Sequence, residues 1–255
     1  IAYGTGTYVA TGSGINTLAY SFDGSTWVGL GTTVFQYSGE GVVWNNNYSI
    51  FVAVGRGINT LAYSYDGAYW IGLGTTIFTE YGKSVFNSSL GKYMMATGKG
   101  TNSVAYSYNG TNWFGLGTTI FSSYANSAYS NLSYNYSTLL FNAVGSGTNT
   151  IAYSYDTISY TGLGTTIFSS IGNGIYNNGS LWVAVGSSNN TIAYSSNGTS
   201  WTGLGSTIFT TSGYSLTYVG GGINKWITGG EGTNTLAYSS NGTQWTGLGT
   251  TMLYS

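Results

Sequence analysis

The sequence predicts an all-β chain built from six copies of one four-stranded unit. Three observations predict it: a word repeated six times, four short strand-like runs in each copy, and no stretch with a helical period. In its second copy the word reads Asn59-Thr60-Leu61-Ala62-Tyr63-Ser64-Tyr65-Asp66-Gly67-Ala68-Tyr69-Trp70-Ile71-Gly72-Leu73-Gly74. Gly-Leu-Gly starts at Gly29, Gly72, Gly115, Gly162, Gly203 and Gly247, with spacings of 43, 43, 47, 41 and 44 residues. The Asn that opens the word stands at Asn16, Asn59, Asn102, Asn149, Asn190 and Asn234, with the same five spacings. Length differences therefore fall elsewhere in the unit.

The second copy justifies the elements in order. Gly41–Trp44 reads as strand one, Ile50–Val54 as strand two, Thr60–Ser64 as strand three and Trp70–Leu73 as strand four. Each is a β-branched and aromatic run bounded by Gly, Asn or Asp. Gly55-Arg56-Gly57 turns strand two into three, and Asp66-Gly67 turns three into four. Four strands per unit of about 40–50 residues is the signature of a β-propeller blade. A β-helix has fewer residues per coil, and a sandwich would not repeat one four-strand word six times. The first copy holds all four strands, at Ile1–Tyr3, Tyr8–Ala10, Thr17–Tyr20 and Trp27–Leu30, and the last ends on strand four and Thr250–Leu253. The expectation is one domain over 1–255, a six-bladed β-propeller with blades near 1–35, 36–78, 79–121, 122–168, 169–209 and 210–255. The loop between strands one and two takes up the length differences: Ser130–Leu139 is the long version and Asn177–Ser180 the short one.

Composition narrows the chemistry. There is no Cys, His or Pro, and only eleven of 255 residues are charged. No disulfide is possible, and zinc, copper and haem lose their usual ligands. Neither a metal nor a cofactor is expected. A net charge of −1 gives no basic field for nucleic acid and no polybasic patch for a membrane. No apolar run approaches the roughly 20 residues that span a bilayer, so neither nucleic acid nor membrane insertion is expected. The chain starts at Ile1 with no visible signal peptide, which reads as a processed product or an internal portion of something longer.

The third turn of each unit carries Ser-x-Asp-Gly-x-x-Trp, at Ser21–Trp27 and Ser64–Trp70. Asn replaces Asp at Ser107–Trp113, Ser195–Trp201 and Ser239–Trp245, and the fourth copy is degenerate, from Ser154-Tyr155-Asp156-Thr157 to Tyr160. This resembles the Asp-box of sialidase-type (BNR-like) propellers, which sits between strands three and four of a blade. The whole unit is also similar to repeats in proteins of large DNA viruses. The resemblance implies a propeller fold. Sialidases of this fold use an arginine cluster, a Tyr/Glu nucleophile pair and an Asp acid/base, whereas this chain has one arginine, Arg56. That activity is not carried over. The Asp-box has a structural account of its own: a short polar side chain bonds nearby N–H groups, Gly supplies positive φ, and the Trp wedges between blades.

Outside these turns the carboxylates are Glu40, Glu80 and Glu231. Glycoside hydrolysis needs a positioned pair, and no spacing here motivates one. No catalytic residue is assigned. In an up-and-down blade, the two–three turns and the crossovers share one face. One equivalent position of those turns varies, as Ser13, Arg56, Lys99, Ser146, Ser187 and Glu231, and the crossovers add Glu40, Glu80 and Lys83. Position-specific variation on a repeated scaffold is where specificity can be written, so these six turn residues and the six repeated Asn are the candidate binding positions. The Asn either satisfy local backbone or offer amide forks to sugar hydroxyls. The stripe Tyr20, Tyr63, Tyr106, Tyr153, Tyr194 and Tyr238 reads as core or wall.

Asn-x-Ser/Thr sequons include Asn47, Asn87, Asn131, Asn135, Asn178 and Asn197. Near-zero net charge favours association. The leading expectation is a non-enzymatic interaction or structural module on a virion or extracellular surface, its partners protein neighbours in an assembly. A lectin with repeated glycan sites is the rival, and a degenerate sialidase-like glycosidase the third reading.

Overall fold

The computed structural model describes residues 1–88, 92–132 and 139–251. Every regular element among them is a β-strand. The chain divides into two compact units, Ile1–Thr119 with Ser123–Ala125 and Ile120–Ser122 with Asn126–Ser255.

In the first unit the first copy forms β1 (Ala2–Gly4), β2 (Thr7–Thr11), β3 (Leu18–Ser21) and β4 (Val28–Gly29). The second forms β5 (Ser38–Asn45), β6 (Ile50–Arg56), β7 (Leu61–Ser64) and β8 (Ile71–Gly72). The third forms β9 (Tyr81–Asn87), β10 (Met94–Lys99), β11 (Val104–Ser107) and β12 (Trp113–Gly115). The remaining copies give β13 (Tyr124–Leu132), β14 (Leu139–Ser146), β15 (Ile151–Ser154) and β16 (Tyr160–Gly162), then β17 (Gly172–Asn177), β18 (Trp182–Gly186), β19 (Ile192–Ser195) and β20 (Thr202–Gly203), and last β21 (Ser212–Val219), β22 (Lys225–Glu231), β23 (Leu236–Ser239) and β24 (Thr246–Gly247). Part of the long loop expected at Ser130–Leu139, the sequon Asn135 and the end of Thr250–Leu253 lie outside the described residues.

Within a copy, consecutive strands pair antiparallel. β1–β4, β5–β8, β17–β20 and β21–β24 each make a four-stranded sheet in sequence order. β9 to β16 count as one sheet, because Lys99 ending β10 pairs with Tyr124 starting β13. Five sheets thus stand where the sequence predicted six. One backbone pair makes the difference: the same approach elsewhere is an isolated bridge, Ser13 to Ser38, Ser146 to Ile171 and Ser187 to Ser212.

Strand two of each copy is the centre of the packing. β6 is buried from Ile50 to Gly55. Side chains alternate across a strand, so its two faces serve different neighbours. Phe51 and Ala53 pack with Val9, Leu18 and Phe35. Ile50, Val52 and Val54 pack with Phe78, Met94 and Ala96. In the second unit, Trp182 and Ala184 meet Leu140, Val144 and Phe168, and Val183 and Val185 meet Phe209 and Trp226. The crossover residues Phe35, Phe78, Phe121, Phe168 and Phe209 are fully buried, each contributing about 1.5–3 kcal/mol by leaving water. The Tyr20, Tyr63, Tyr153 and Tyr194 rings pack part-buried against these clusters, which is wall.

Glu40 and Lys83, expected in crossovers, lie inside β5 and β9. Each is the extra residue of a β-bulge: the register of β5 shifts between Gly39 and Gly41, and that of β9 between Gly82 and Ser84. A bulge aims its unpaired residue away from the ladder. Asn173 and Tyr214 hold the same place in β17 and β21.

Candidate functional site

The repeated Asn is taken up by the scaffold. Its Oδ1 accepts from the second Gly of Gly-Leu-Gly at 2.7–2.8 Å in all six copies, as from Gly31 to Asn16 and from Gly74 to Asn59. Nδ2 of Asn59, Asn102, Asn149, Asn190 and Asn234 donates to the crossover carbonyls of Val34, Ile77, Ile120, Ile167 and Ile208 at 2.6–2.8 Å. The first Gly leaves room for this amide, since a Cβ on Gly72 would stand 2.2 Å from Asn59 Oδ1. The next residue ties the following crossover: Thr60 Oγ1 donates to Phe78 O at 2.8 Å. In these five copies an amide used at both ends has little left for a sugar and acts as a staple; Asn16 is bonded through Oδ1.

In the first five copies the variable turn position meets the start of the next copy's first strand. Ser13, Ser146 and Ser187 do so through the isolated bridges, and the Ser146 hydroxyl is buried without a partner. Arg56 lays its guanidinium 4.2 Å over the Tyr81 ring. Its Nε stands 3.0 Å from Glu40 Oε1, an ion pair whose N–H is not aligned as a hydrogen bond. Lys83 Nζ is 3.1 Å from Glu40 Oε2, and Lys99 Nζ is 2.8 Å from Glu80 Oε2. Glu231 accepts from the Tyr214 hydroxyl. Burial pushes the Glu40 carboxyl up, but hydrogen bonds from Ser38 and Lys83 and the charges of Lys83 and Arg56 outweigh it and hold it below the usual carboxylate range. Arg56 and Lys83 thus share Glu40, and Lys99 pairs with Glu80, so each of these cations has a carboxylate partner. Such exposed pairs are worth about 0.2–1 kcal/mol each.

The Ser-x-Asp-Gly turns are self-contained. Ser64 Oγ accepts from Gly67 N–H at 2.8 Å and donates to Asp66 Oδ1, which accepts from the N–H groups of Ala68 and Tyr69. The Trp70 indole N–H donates to Gly67 O, and the same bond recurs at Trp27, Trp113, Trp201 and Trp245 at 2.8–3.2 Å. The apolar part of Trp70, Trp113, Trp201 and Trp245 packs on the seam clusters. Burial pushes the Asp66 carboxyl up, but the Tyr69 and Ala68 N–H groups and Ser64 outweigh it and lower its pKa.

Two grooves among the described residues open along these turns. A groove of about 500 Å³ is lined by Thr5, Thr7, Tyr20, Phe22, Asp66 and Tyr69, with Val28, Leu30 and Ala68. Phe22 is 70% and Tyr69 81% exposed, and Tyr20 and Phe22 meet edge-to-face at 5.4 Å. A second groove, about 410 Å³, runs beside Leu73, Ile77, Asn112, Trp113 and Phe114. Among the described residues no three His, Cys, Asp or Glu come together to hold a metal ion.

No protein-family model and no curated protein matches the chain. Solved structures do. A virginiamycin B lyase from Staphylococcus aureus, a catalytically inactive H270A form with quinupristin, matches at TM-score 0.74 and 11% identity, over 97% of this chain and 82% of that one. The fold is propeller-like. The GH74 enzyme of Niastella koreensis matches at TM-score 0.63 and 20% identity, over 97% of this chain, which spans 36% of that enzyme. The computationally designed Ika8 protein matches at TM-score 0.66 and 14% identity, over 95% of this chain and 71% of that one. At such identities the likeness concerns fold alone.

On this propeller-like frame the sequence reading missed the groove residues. Its signal was available: Tyr69 stands where the other turns have Thr26, Asn112, Ser159, Ser200 and Gln244. The exposed aromatic after the turn serine was visible too, as Phe22, Tyr65, Tyr108 and Tyr155 against Ser196 and Ser240.

Proposed function

We propose that the chain is a closed six-bladed propeller with Asp-box turns, acting as a non-catalytic interaction module on a virion or extracellular surface. One observation carries this reading. The residues that repeat are used internally, while exposed aromatics concentrate where copies differ: Phe22, Tyr65, Tyr69, Tyr108 and Tyr155 are 43–81% exposed. Exposed rings are suited to recognition, because they offer large contact area at low entropy cost. Repetition supports ring closure. Asn59, Asn102, Asn149, Asn190 and Asn234 each bind the preceding crossover. In a ring, the equivalent Thr250-Thr251-Met252 of the sixth copy would supply the matching carbonyl to Asn16.

A photo-crosslinking residue in place of Tyr65 tests the module. The expected result is an adduct with one defined protein neighbour in the source assembly. Adducts with none, or turnover of chromogenic glycosides that disappears in Glu231→Gln, contradict it. The exposed rings also favour a second reading, glycan binding, which a glycan array checks directly; hits there that need the same rings would replace a protein partner by a sugar.

A further inference from the structure

The groove beside Asp66 differs from its equivalents in three ways, and all three point to one ligand chemistry. The first is room. Tyr8, Phe51 and Met94 are equivalent by register, each opposite the turn serine. One residue earlier stand Thr7, Ile50 and Tyr93. In the third copy this position carries a ring, and Tyr93 meets Tyr108 edge-to-face at 5.2 Å; in the first, the small Thr7 lines the open groove. The second is aromatic surface: only here does a tyrosine, Tyr69, face the groove from the next copy's turn, opposite Phe22 and Tyr20.

The third is charge. The equivalent position is Asn in three turns, Asn109, Asn197 and Asn241, and Asp in two others, Asp23 and Asp156. Those two carboxylates also take a hydroxyl of their own turn: Asp23 Oδ2 accepts from the Thr26 hydroxyl at 3.0 Å, and Asp156 accepts from the Ser159 hydroxyl. Tyr69 replaces that threonine, and all the bonds of Asp66 go to Oδ1. The ion pairs among the described residues are Arg56–Glu40, Lys83–Glu40 and Lys99–Glu80, so the Asp66 charge has no cationic partner. Ring faces are themselves electronegative and attract ammonium groups.

We propose that this groove binds an organic cation, an alkylammonium group seated between Phe22 and Tyr69 with Asp66 as counter-ion. The proposal rests on the interaction-module reading and specifies its recognition chemistry. The ammonium is carried by a lysine or methyl-lysine side chain of a partner protein, or by a free choline-like molecule. A neutral ligand of the same shape gains from the rings but not from the unpaired carboxylate.

The test is an NMR titration of the full chain, following the aromatic signals of Tyr20, Phe22 and Tyr69. The probes are choline, its neutral isostere 3,3-dimethyl-1-butanol, an Ala-trimethyllysine-Ala peptide and methyl β-glucoside. Choline and the peptide are expected to bind at least tenfold more tightly than the isostere. Asp66→Asn and Phe22→Ser should each weaken them about tenfold while the chain still unfolds cooperatively. Both variants install residues that other copies carry at these positions, Asn109 and Ser196, so folding is retained. A tighter peptide marks a protein side chain as the source, and tighter choline a free molecule. Equal binding of choline and the isostere, no binding of either, or binding of the glucoside alone overturns the proposal. If choline fails while the Tyr65 crosslink succeeds, this site falls and the module stands; the reverse pair of results retains the site and removes the module.

Discussion

Thr157 stands where the other five turns have Gly24, Gly67, Gly110, Gly198 and Gly242. All six residues have positive φ, from 70° at Thr157 to 83° at Gly67. A side chain in this region costs about 1–2 kcal/mol, because Cβ crowds the following carbonyl oxygen. The Thr157 hydroxyl is buried and bonds to nothing, which costs about another 1–3 kcal/mol. Against this, glycine loses about 0.5–1 kcal/mol more chain entropy on folding. It also gives up the burial of two carbons, at about 0.8 kcal/mol each. Thr157→Gly should therefore stabilise the protein by about 1 kcal/mol. Gly67→Thr has the opposite sign. It meets the same strain, and its Cβ would lie 2.8 Å from Val9 Cγ2 and 2.9 Å from Thr7 Cγ2, for a loss of about 2–4 kcal/mol. Urea midpoints at constant m-value read both changes. A midpoint that falls in Thr157→Gly, or that is unmoved in Gly67→Thr, refutes the reasoning.

Three further outcomes are expected. Asn142 is fully buried with both amide atoms unpaired, at a register position held elsewhere by Val52, Met95, Val183 and Ile227; Asn142→Val should stabilise by about 1–3 kcal/mol in the same urea assay. Asn59→Ala strands Gly74 N–H and Val34 O and should cost about 2 kcal/mol, with Asn102→Ala nearly additive to it. Asp23, Asp66 and Asp156 have pKa values lowered in the fold. Their stabilisation is complete above the unfolded pKa, and it is lost as pH falls from about 4 toward the folded values. Urea midpoints of a triple Asp→Asn variant should therefore fall less between about pH 4 and pH 2; a fall as steep as the parent's contradicts this.

The strands and the Asp/Asn-Gly turns were legible in the sequence because their causes are local. β-branched runs, a short polar side chain and a glycine act within a few residues, and the wedge Trp follows at fixed distance. The Asn staple was half legible. Its spacing matches Gly-Leu-Gly in every copy, but no local rule says that a residue fifteen positions away supplies the N–H. Glu40 and Lys83 were misplaced because a bulge is decided by the partner strand's register, to which composition is blind. The five-sheet count turns on the single Lys99–Tyr124 pair. The groove escaped because it arises by subtraction, from Thr7 being small where Ile50 and Tyr93 stand, and subtraction is visible only once neighbouring copies are packed.

Closure of the repeat into a ring is the claim on which the rest depends. A crystal structure of the chain tests it most directly. It should show six four-stranded blades about one axis, with Asn16 Nδ2 donating to the carbonyl of residue 252 as Asn59 does to Val34. Five or seven blades, an open array, or an Asn16 amide turned to solvent would contradict it.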